Sequence, residues 1–191
     1  MIGIAFDDVL AATHGPLLDA CCRELGWCPD AGDLVTTLTG DWWERVPGAA
    51  AIRERPEWLA SVPPRLDALR AMPAIVGLAE PVLVIVRRPQ APSSEQLATI
   101  RRWLDRYGIV SHRLIWTADV VAACQAAGCR FVIDAAPAVA IAACAAQITV
   151  FLVDAPYNAH VPEHPQLWRV SNLMAIPSLL RTRFDMGRGR R

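Results

Sequence analysis

The chain has 191 residues, of which 53% are hydrophobic, and its 19 basic side chains balance 19 acidic ones. All the basic residues are arginine, which excludes chemistry that depends on a lysine, such as Schiff-base catalysis or a phosphate-binding P-loop. A chain of this length forms about one domain, and its zero net charge argues against a nucleic acid or an anionic membrane recognised mainly through charge.

Five short apolar segments predict the strands of a parallel β-sheet. Continuous apolar runs, rather than alternating ones, are typical of strands covered on both faces. The runs lie at residues 2–6, 82–86, 113–116, 131–133 and 148–153. Helical patterns separate the last four runs, and the first of these helices has a capping box at Ser93 and Gln96 and a glycine stop at Gly108. These crossovers predict an α/β fold with a doubly wound (Rossmann-like) parallel sheet of about five strands.

The gap between the first two strands is longer than a single crossover helix requires. We interpret residues 11–75 as a small helical cap inserted into an α/β core that comprises residues 1–10 and 76–182. Helical stretches in this insertion are predicted at 16–25, 56–60 and 64–72. The basic segment 183–191 has few apolar residues, and we expect it to be disordered. The insertion should lie over the carboxyl edge of the sheet, where doubly wound folds bind ligands.

Polar side chains follow the predicted strands at this edge. They are Asp7 and Asp8 after the first strand, Arg87 and Arg88 after the second, Asp134 after the fourth, and Tyr157 and Asn158 after the fifth. The carboxyl ends of parallel strands meet at one edge of a sheet, so we expect the acids and arginines of this set to converge there.

Short motifs at these positions resemble the haloacid dehalogenase superfamily, in particular its deoxyribonucleotidase-like branch, which carries a small helical cap between the first two strands. The matching segments are Val9-Leu10, Arg88-Pro89, Trp103-Leu104, Tyr107-Gly108-Ile109, Pro156-Tyr157-Asn158 and Arg169-Val170. The resemblance extends over the chain to residue 182. It implies an α/β core with a cap, phosphoryl-transfer chemistry and a magnesium cofactor.

The resemblance also assigns positions to the family's catalytic groups, and this sequence departs from the family at most of them. The nucleophilic aspartate falls on Ala5, the phosphate-binding threonine on Val86, the lysine on Val120 and one of two paired acids on Ala135. The general acid/base is retained as Asp7, Asp8 replaces the glycine after it, and the other paired acid is Asp134. Phosphoryl transfer needs a metal and cations positioned together. We therefore expect the magnesium site and the catalysis to be lost, with no cofactor.

These departures predict a catalytically inactive relative that binds a small anionic ligand or a protein partner in a regulatory or scaffolding role. One alternative is an active phosphatase that acts on a nucleotide-like or other phosphorylated small molecule. The other is an enzyme with altered acid/base chemistry that uses the remnant acids Asp7, Asp8 and Asp134.

Arg87 and Arg88 have two interpretations. They could bind an anionic ligand in a remnant polar pocket. We favour an ion pair between Arg88 and either Asp7 or Asp134, because a forked arginine–carboxylate contact satisfies groups that are costly to leave unpaired in a partly buried cleft.

The aromatic candidates also have structural alternatives. Trp42 and Trp43 could stack on a nucleobase, whereas we favour packing in the insertion's own core, with one ring of this pair facing outward. Tyr157 and Asn158 are also candidates for ligand binding, and we expect them to hold the end of the fold together rather than to act in catalysis. We expect three histidines to lie in loops without a catalytic or metal-binding role: His112, His160 and His164.

The six cysteines fit neither zinc spacing nor a redox Cys-x-x-Cys motif. They are Cys21, Cys22, Cys28, Cys124, Cys129 and Cys144. We interpret them as buried thiols of a cytoplasmic protein. We find no signal peptide and no apolar run of the roughly 20 residues that span a bilayer, so we expect no membrane partner. The apolar composition is compatible with a homodimer.

Overall fold

The computed structural model describes residues 1–29, 42–78 and 80–188, with side chains through residue 182. Its strands are β1 (Ile2–Ala5), β2 (Val82–Arg87), β3 (Arg113–Thr117), β4 (Phe131–Asp134), β5 (Thr149–Val153) and β6 (Leu167–Val170). All neighbouring strands pair in parallel, in the order β3-β2-β1-β4-β5-β6. The predicted doubly wound α/β fold is confirmed, and each of the five predicted strands agrees with the observed one to within a residue at either end.

The sequence analysis missed β6, which forms one edge of the sheet. Two of its side chains, Trp168 and Arg169, are exposed, and only Val170 is buried. An edge strand with exposed residues lacks the continuous apolar run that identifies strands covered on both faces.

The insertion between β1 and β2 is helical, as predicted. It comprises α1 (His14–Leu25), a short 3-10 turn (Trp42–Glu44), α2 (Ala49–Glu54), α3 (Pro56–Ser61) and α4 (Leu66–Val76). The sequence analysis missed α2, which is too short to show a helical period. It also ended α4 too early, because this helix continues through Pro73.

The remaining helices flank the sheet. They are α5 (Ser94–Arg106), α6 (Val120–Ala126), α7 (Pro137–Ala145) and α8 (Ile176–Arg188). The capping box of α5 is confirmed, since the Ser93 and Gln96 side chains each accept the other residue's backbone N–H. Gly108 ends the following turn with a φ of +63°, as the sequence predicts. Among the described residues, none of the helices has both the length and the apolar character needed to cross a membrane.

The helix α8 includes part of the segment 183–191 that the sequence analysis expects to be disordered. Its buried residues Ile176 and Leu180 anchor the first turns, and the helix continues to Arg188. Helix extension from an anchored turn is cooperative, so a segment with few apolar residues of its own can remain helical. Residues 189–191 of the predicted tail lie outside the described residues.

The insertion and the α/β part share one hydrophobic core. Trp42 and Leu59 from the insertion belong to the same buried cluster as Phe6 and Trp103. The indole N–H of Trp103, on α5, donates to the carbonyl oxygen of Val62 at 2.8 Å. The tryptophans of the insertion therefore do not form a separate core. The insertion packs directly against the carboxyl edge of the sheet.

Candidate functional site

Asp7 lies just beyond the carboxyl end of β1 and is the centre of a buried charge cluster. Arg88, after β2, donates from Nη1 to Oδ2 and from Nη2 to Oδ1, the latter at 3.2 Å. Arg53 of α2 donates from Nη2 to Oδ2 at 2.8 Å. The predicted ion pair between Arg88 and Asp7 is confirmed, and a second arginine joins it from the insertion.

Arg53 is the site residue that the sequence analysis missed. The residue is 6% exposed, and its guanidinium carbon lies 4.5 Å from the ring centroid of Trp43. Nothing in the local sequence Ala-Ala-Ala-Ile-Arg-Glu distinguishes this arginine from one on the outer face of a surface helix. The packing of α2 over the sheet edge turns the side chain inward, which no spacing rule indicates.

The two arginines keep the Asp7 carboxylate ionised. Burial by itself raises the pKa of Asp7, but the charges of Arg53 and Arg88 outweigh burial and lower this pKa from 3.8 to about 2. A carboxylate with this pKa carries no proton near neutral pH and cannot act there as a general acid.

Asp134, at the end of β4, is the second acid of the cleft. It is 4% exposed, and its Oδ1 accepts the backbone N–H of Ala136 at 2.8 Å. Burial raises the pKa of Asp134 to about 6, although this backbone hydrogen bond and the charge of Arg87 oppose the rise.

The cleft around the two acids is almost filled. Ala5, Val86, Val120 and Ala135 are all buried. The remaining cavity has a volume of about 20 Å³ and is lined by residues that include Ala5, Trp43, Arg53, Arg87, Val120 and Asp134. This volume holds about one water molecule, whereas small-molecule sites occupy roughly 300–1,000 Å³.

The groups in the cleft do not fit a magnesium ion, which needs a near-octahedral set of oxygen ligands. Ala5 offers no side-chain oxygen, and both oxygens of Asp7 accept hydrogen bonds from guanidinium groups. Among the residues that the structure describes, no group of three or more His, Cys, Asp or Glu side chains could hold a metal ion.

Asp8 ties the loop after β1 to two other elements. Its Oδ1 accepts the backbone N–H of Thr13 (3.0 Å), the hydroxyl of Thr13 (3.0 Å) and the backbone N–H of His14 (2.8 Å). Its Oδ2 accepts the hydroxyl of Tyr157 at 2.7 Å. Asp8 has a φ of +56°, a left-handed conformation that favours glycine, the residue that the resemblance assigns to this position. The four hydrogen bonds explain how an aspartate is held there.

Tyr157 and Asn158 hold the end of the fold, as the sequence analysis expects. The Asn158 amide is buried and donates to the carbonyl oxygens of Ala135 (2.9 Å) and Val153 (2.8 Å). Burial and the negative charge of Asp8 raise the pKa of Tyr157, so its hydroxyl stays protonated and remains a donor to Asp8.

Trp42 and Trp43 are both buried, so the expectation that one ring faces outward is wrong. Trp42 packs parallel to Trp27 at a centroid distance of 5.2 Å and donates its indole N–H to Nδ1 of His14 at 3.1 Å. Trp43 faces Arg53 instead. The 3-10 turn that carries the pair lies between α1 and the cleft, so each side of the turn has a protein surface to cover its ring.

A second cavity lies on the other side of the Asp8–Tyr157 hydrogen bond. It has a volume of about 220 Å³, and its lining includes Asp8, His14, Arg65, Asp154 and Tyr157. Arg65 pairs with Asp67 at 2.9 Å and Asp154 with Arg169 at 3.2 Å. Burial lowers the pKa of His14, although the charge of Asp8 opposes this effect. The charges of Arg65 and Asp154 are therefore already paired.

The histidines named in the sequence analysis lie outside helices and strands, as predicted. Nδ1 of His112 accepts the backbone N–H of Val82 at 3.0 Å, and Nδ1 of His164 accepts the backbone N–H of Gln166 at 3.1 Å. In both bonds the donor is a backbone N–H, so each imidazole makes a structural contact with the main chain.

The cysteines are only partly as expected. Cys21, Cys124, Cys129 and Cys144 are buried free thiols, whereas Cys22 and Cys28 form a disulfide. The left-handed turn at Gly26 (φ +67°) reverses the chain after α1 and brings the Cα atoms of the pair within 4.6 Å. Spacing along the sequence does not reveal this reversal.

No model of a known protein family matches the sequence, and no curated protein matches it. Solved structures do match. A predicted phosphoglycolate phosphatase from Haemophilus somnus has 14% identity and a TM-score of 0.63, over 94% of this chain and 97% of that one. CbbY from Rhodobacter sphaeroides, in complex with phosphate, has 15% identity and a TM-score of 0.62, over 92% and 95%. D,D-heptose 1,7-bisphosphate phosphatase from B. bronchiseptica, complexed with magnesium and phosphate, has 11% identity and a TM-score of 0.56, over 95% and 98%.

At these identities the likeness shows a shared fold. Other matching structures are named as haloacid dehalogenase-like hydrolases, and the chain shares its fold with them. The deoxyribonucleotidase-like branch stays a prediction.

Proposed function

We propose that this chain is a catalytically inactive protein with the haloacid dehalogenase-like fold and that it acts by binding. The observation that carries the proposal is the contact of Asp7 with Arg53 and Arg88. The one catalytic carboxylate that the resemblance retains at the end of β1 is thereby used to close the cleft rather than to transfer protons.

The chemistry of phosphoryl transfer supports this proposal. Loss of a nucleophile alone lowers the rate by several orders of magnitude, and the groups of one catalytic unit act together. Here Ala5, Val86 and Val120 stand where the resemblance places the nucleophile, a phosphate-binding hydroxyl and a lysine. A buried apolar side chain at each position supplies neither a ligand for a metal nor a donor for a phosphate.

An active phosphatase is the competing proposal, and the names of two structures with this fold favour it. For this chain to act on a nucleotide-like or other phosphorylated molecule, α2 would have to withdraw Arg53, and the cleft would have to grow well beyond about 20 Å³. Ala5 would still offer no nucleophile after that opening.

Altered acid/base chemistry has its best location at Asp8, which borders the open cavity of about 220 Å³. The oxygens of Asp8 already accept four hydrogen bonds, from Thr13, His14 and Tyr157. Tyr157 keeps its proton because its pKa is raised. These contacts favour a role for Asp8 in anchoring the start of α1 over a role in proton transfer.

A protein partner is the first candidate for the bound molecule, because the closed cleft holds only about one water molecule. A small anionic ligand is the second candidate, since Arg53 and Arg87 both line the cleft. Asp7 occupies the position among the guanidinium groups that an anion would take, so such a ligand has to displace this carboxylate.

Magnesium-dependent phosphate release tests the absence of catalysis. The substrates are an aryl phosphate, nucleoside monophosphates, phosphoglycolate and sugar phosphates, with wild type and Asp7→Ala purified identically. We expect equal release from both proteins, at the level of buffer. Turnover by the wild type that Asp7→Ala abolishes would overturn the proposal and establish a phosphatase.

Calorimetric titration with inorganic phosphate distinguishes the two kinds of bound molecule. Heat of binding in the wild type that is lost in Arg87→Leu favours the anionic ligand. The protein partner predicts no saturable heat in either protein.

A further inference from the structure

Cys22 and Cys28 form the one disulfide among the described residues, which include all six cysteines. The bond joins the last turn of α1 to the segment that follows Gly26. Cys28 is exposed and Cys22 is half-buried, whereas the four free cysteines are buried. The oxidised pair is therefore the pair that a thiol reagent in solution can reach.

Trp27, inside the disulfide loop, connects this pair to the loop after β1. Its ring lies parallel to that of Trp42, with centroids 5.2 Å apart and 12° between the planes. Trp42 donates to His14, whose ring stacks on Tyr157 at 4.9 Å. Tyr157 then donates to Asp8 at 2.7 Å. These contacts form a continuous chain of packed side chains.

A second branch leads from Trp42 to the charge cluster. Trp42 meets Trp43 edge-on at 6.0 Å, and Trp43 packs against the guanidinium group of Arg53. Arg53 is the residue with which α2 holds Asp7. Trp42 is fully buried and belongs to both branches, so removal of Trp27 takes packing away from the contacts that keep α2 over the cleft.

We propose that Cys22–Cys28 is a thiol–disulfide exchange site for a dithiol, and that its reduction releases Trp27 from Trp42 and loosens α2 over Asp7. The neighbouring thiol of Cys21 does not take part in this exchange. Burial raises the pKa of Cys21 and the charge of Glu24 raises it further, so Cys21 stays a protonated thiol inside the core.

The exchange takes two steps. A thiolate of the dithiol attacks Sγ of the exposed Cys28, the bond between the two cysteines breaks, and Cys22 leaves as a thiolate that takes up a proton. The second thiolate of the reductant then attacks the reductant's own sulfur in the mixed disulfide and expels Cys28, which is protonated in turn. Two electrons and two protons pass to the protein, and the dithiol becomes a disulfide.

Thiol counting and amide hydrogen exchange test the proposal on the full chain. Alkylation after denaturation, read by mass spectrometry, should find two more thiols after treatment with a dithiol than before. The same treatment should shift the tryptophan emission and raise hydrogen exchange several-fold at residues 49–54. An unchanged thiol count, or two new thiols with unchanged emission and exchange, would overturn the proposal.

Three variants control the experiment. Cys28→Ser removes an exposed sulfur, so this variant should fold. Its hydrogen exchange should equal that of the reduced wild type and should not change when the dithiol is added. Cys22→Ser should give the same result. Trp27→Leu keeps the disulfide but not the ring contact, so the dithiol should add two thiols without changing exchange at 49–54. A full exchange response in Trp27→Leu would show that Trp27 does not transmit the change. Because the readouts are thiols and exchange rates, they are independent of whether the protein turns over a substrate.

Discussion

Asp7 and Asp134 lie at the carboxyl ends of neighbouring strands, β1 and β4, but the protein stabilises them in opposite ways. Two guanidinium groups hold Asp7 as an anion with a pKa of about 2. Asp134 accepts a backbone N–H, and burial raises its pKa to about 6. We therefore expect closure of the cleft to depend on Asp7, whereas Asp134 is a buried group whose charge costs stability.

Asp7→Asn should lower the free energy of unfolding more than any other substitution considered below. The substitution leaves Arg53 and Arg88 buried without their anion, and breaking a buried ion pair from one side costs about 3–5 kcal/mol. The matched control is Asp134→Asn, which should leave the stability at pH 7 unchanged or raise it, since burial disfavours the charge that is removed. Urea unfolding measures both. Equal losses of stability in the two variants would contradict the difference between the two acids.

The pH dependence of unfolding should also separate the two acids. The folded pKa of Asp134 (about 6) exceeds the unfolded value of 3.8, so the folded state binds more protons in this interval and stability falls as the pH rises from about 4 to 6. The folded pKa of Asp7 (about 2) is below the unfolded 3.8, so its contribution is present above pH 3.8 and is lost as the pH falls towards 2. Each effect amounts to about 2–3 kcal/mol.

Urea unfolding of wild type and Asp134→Asn across this range checks the assignment. The variant should lose the fall in stability between about pH 4 and 6 and keep the loss below pH 4. A variant with the wild-type slope between about pH 4 and 6 would show that another group titrates there.

Arg53→Gln should destabilise the protein less than Asp7→Asn. Arg88 still holds Asp7 after this change, and a hydrogen bond to a charged group is worth about 1.5–3 kcal/mol. Arg55→Gln is the control, because its pair with Glu24 is at the surface and should contribute no more than about 1 kcal/mol. Similar losses in the two variants, measured by urea unfolding, would mean that the insertion is not tied down through Arg53.

Tyr157→Phe should have the smallest effect, about 1 kcal/mol. Asp8 keeps the three donors from Thr13 and His14 after the phenol hydroxyl is removed. Thermal unfolding measures this loss. A loss as large as that of Asp7→Asn would place the closure of the cleft at Asp8 instead.

The sheet could be predicted from the sequence because strands covered on both faces are continuous apolar runs. Edge strand β6 could not, since Trp168 and Arg169 interrupt its pattern. The meeting of Arg88 with Asp7 followed from the convergence of strand ends in a parallel sheet. The convergence of parallel strands predicts contacts only for residues that lie at the ends of strands.

Arg53 and the Cys22–Cys28 bond lie in the insertion, where no such geometry applies. Their positions depend on how short helices pack and on the turn at Gly26, and these are properties of tertiary structure. Sequence patterns therefore predicted the scaffold, but not the arginine that fills the cleft.

A double-mutant cycle between Asp7 and Arg53 tests the central claim most directly. Unfolding free energies of Asp7→Asn, Arg53→Gln and the double variant give the coupling between the end of β1 and α2. An ion pair that closes the cleft predicts a favourable coupling of about 1–3 kcal/mol between the two residues. Additivity within about 0.3–0.5 kcal/mol would contradict it and would mean that the cleft is not held shut by this contact.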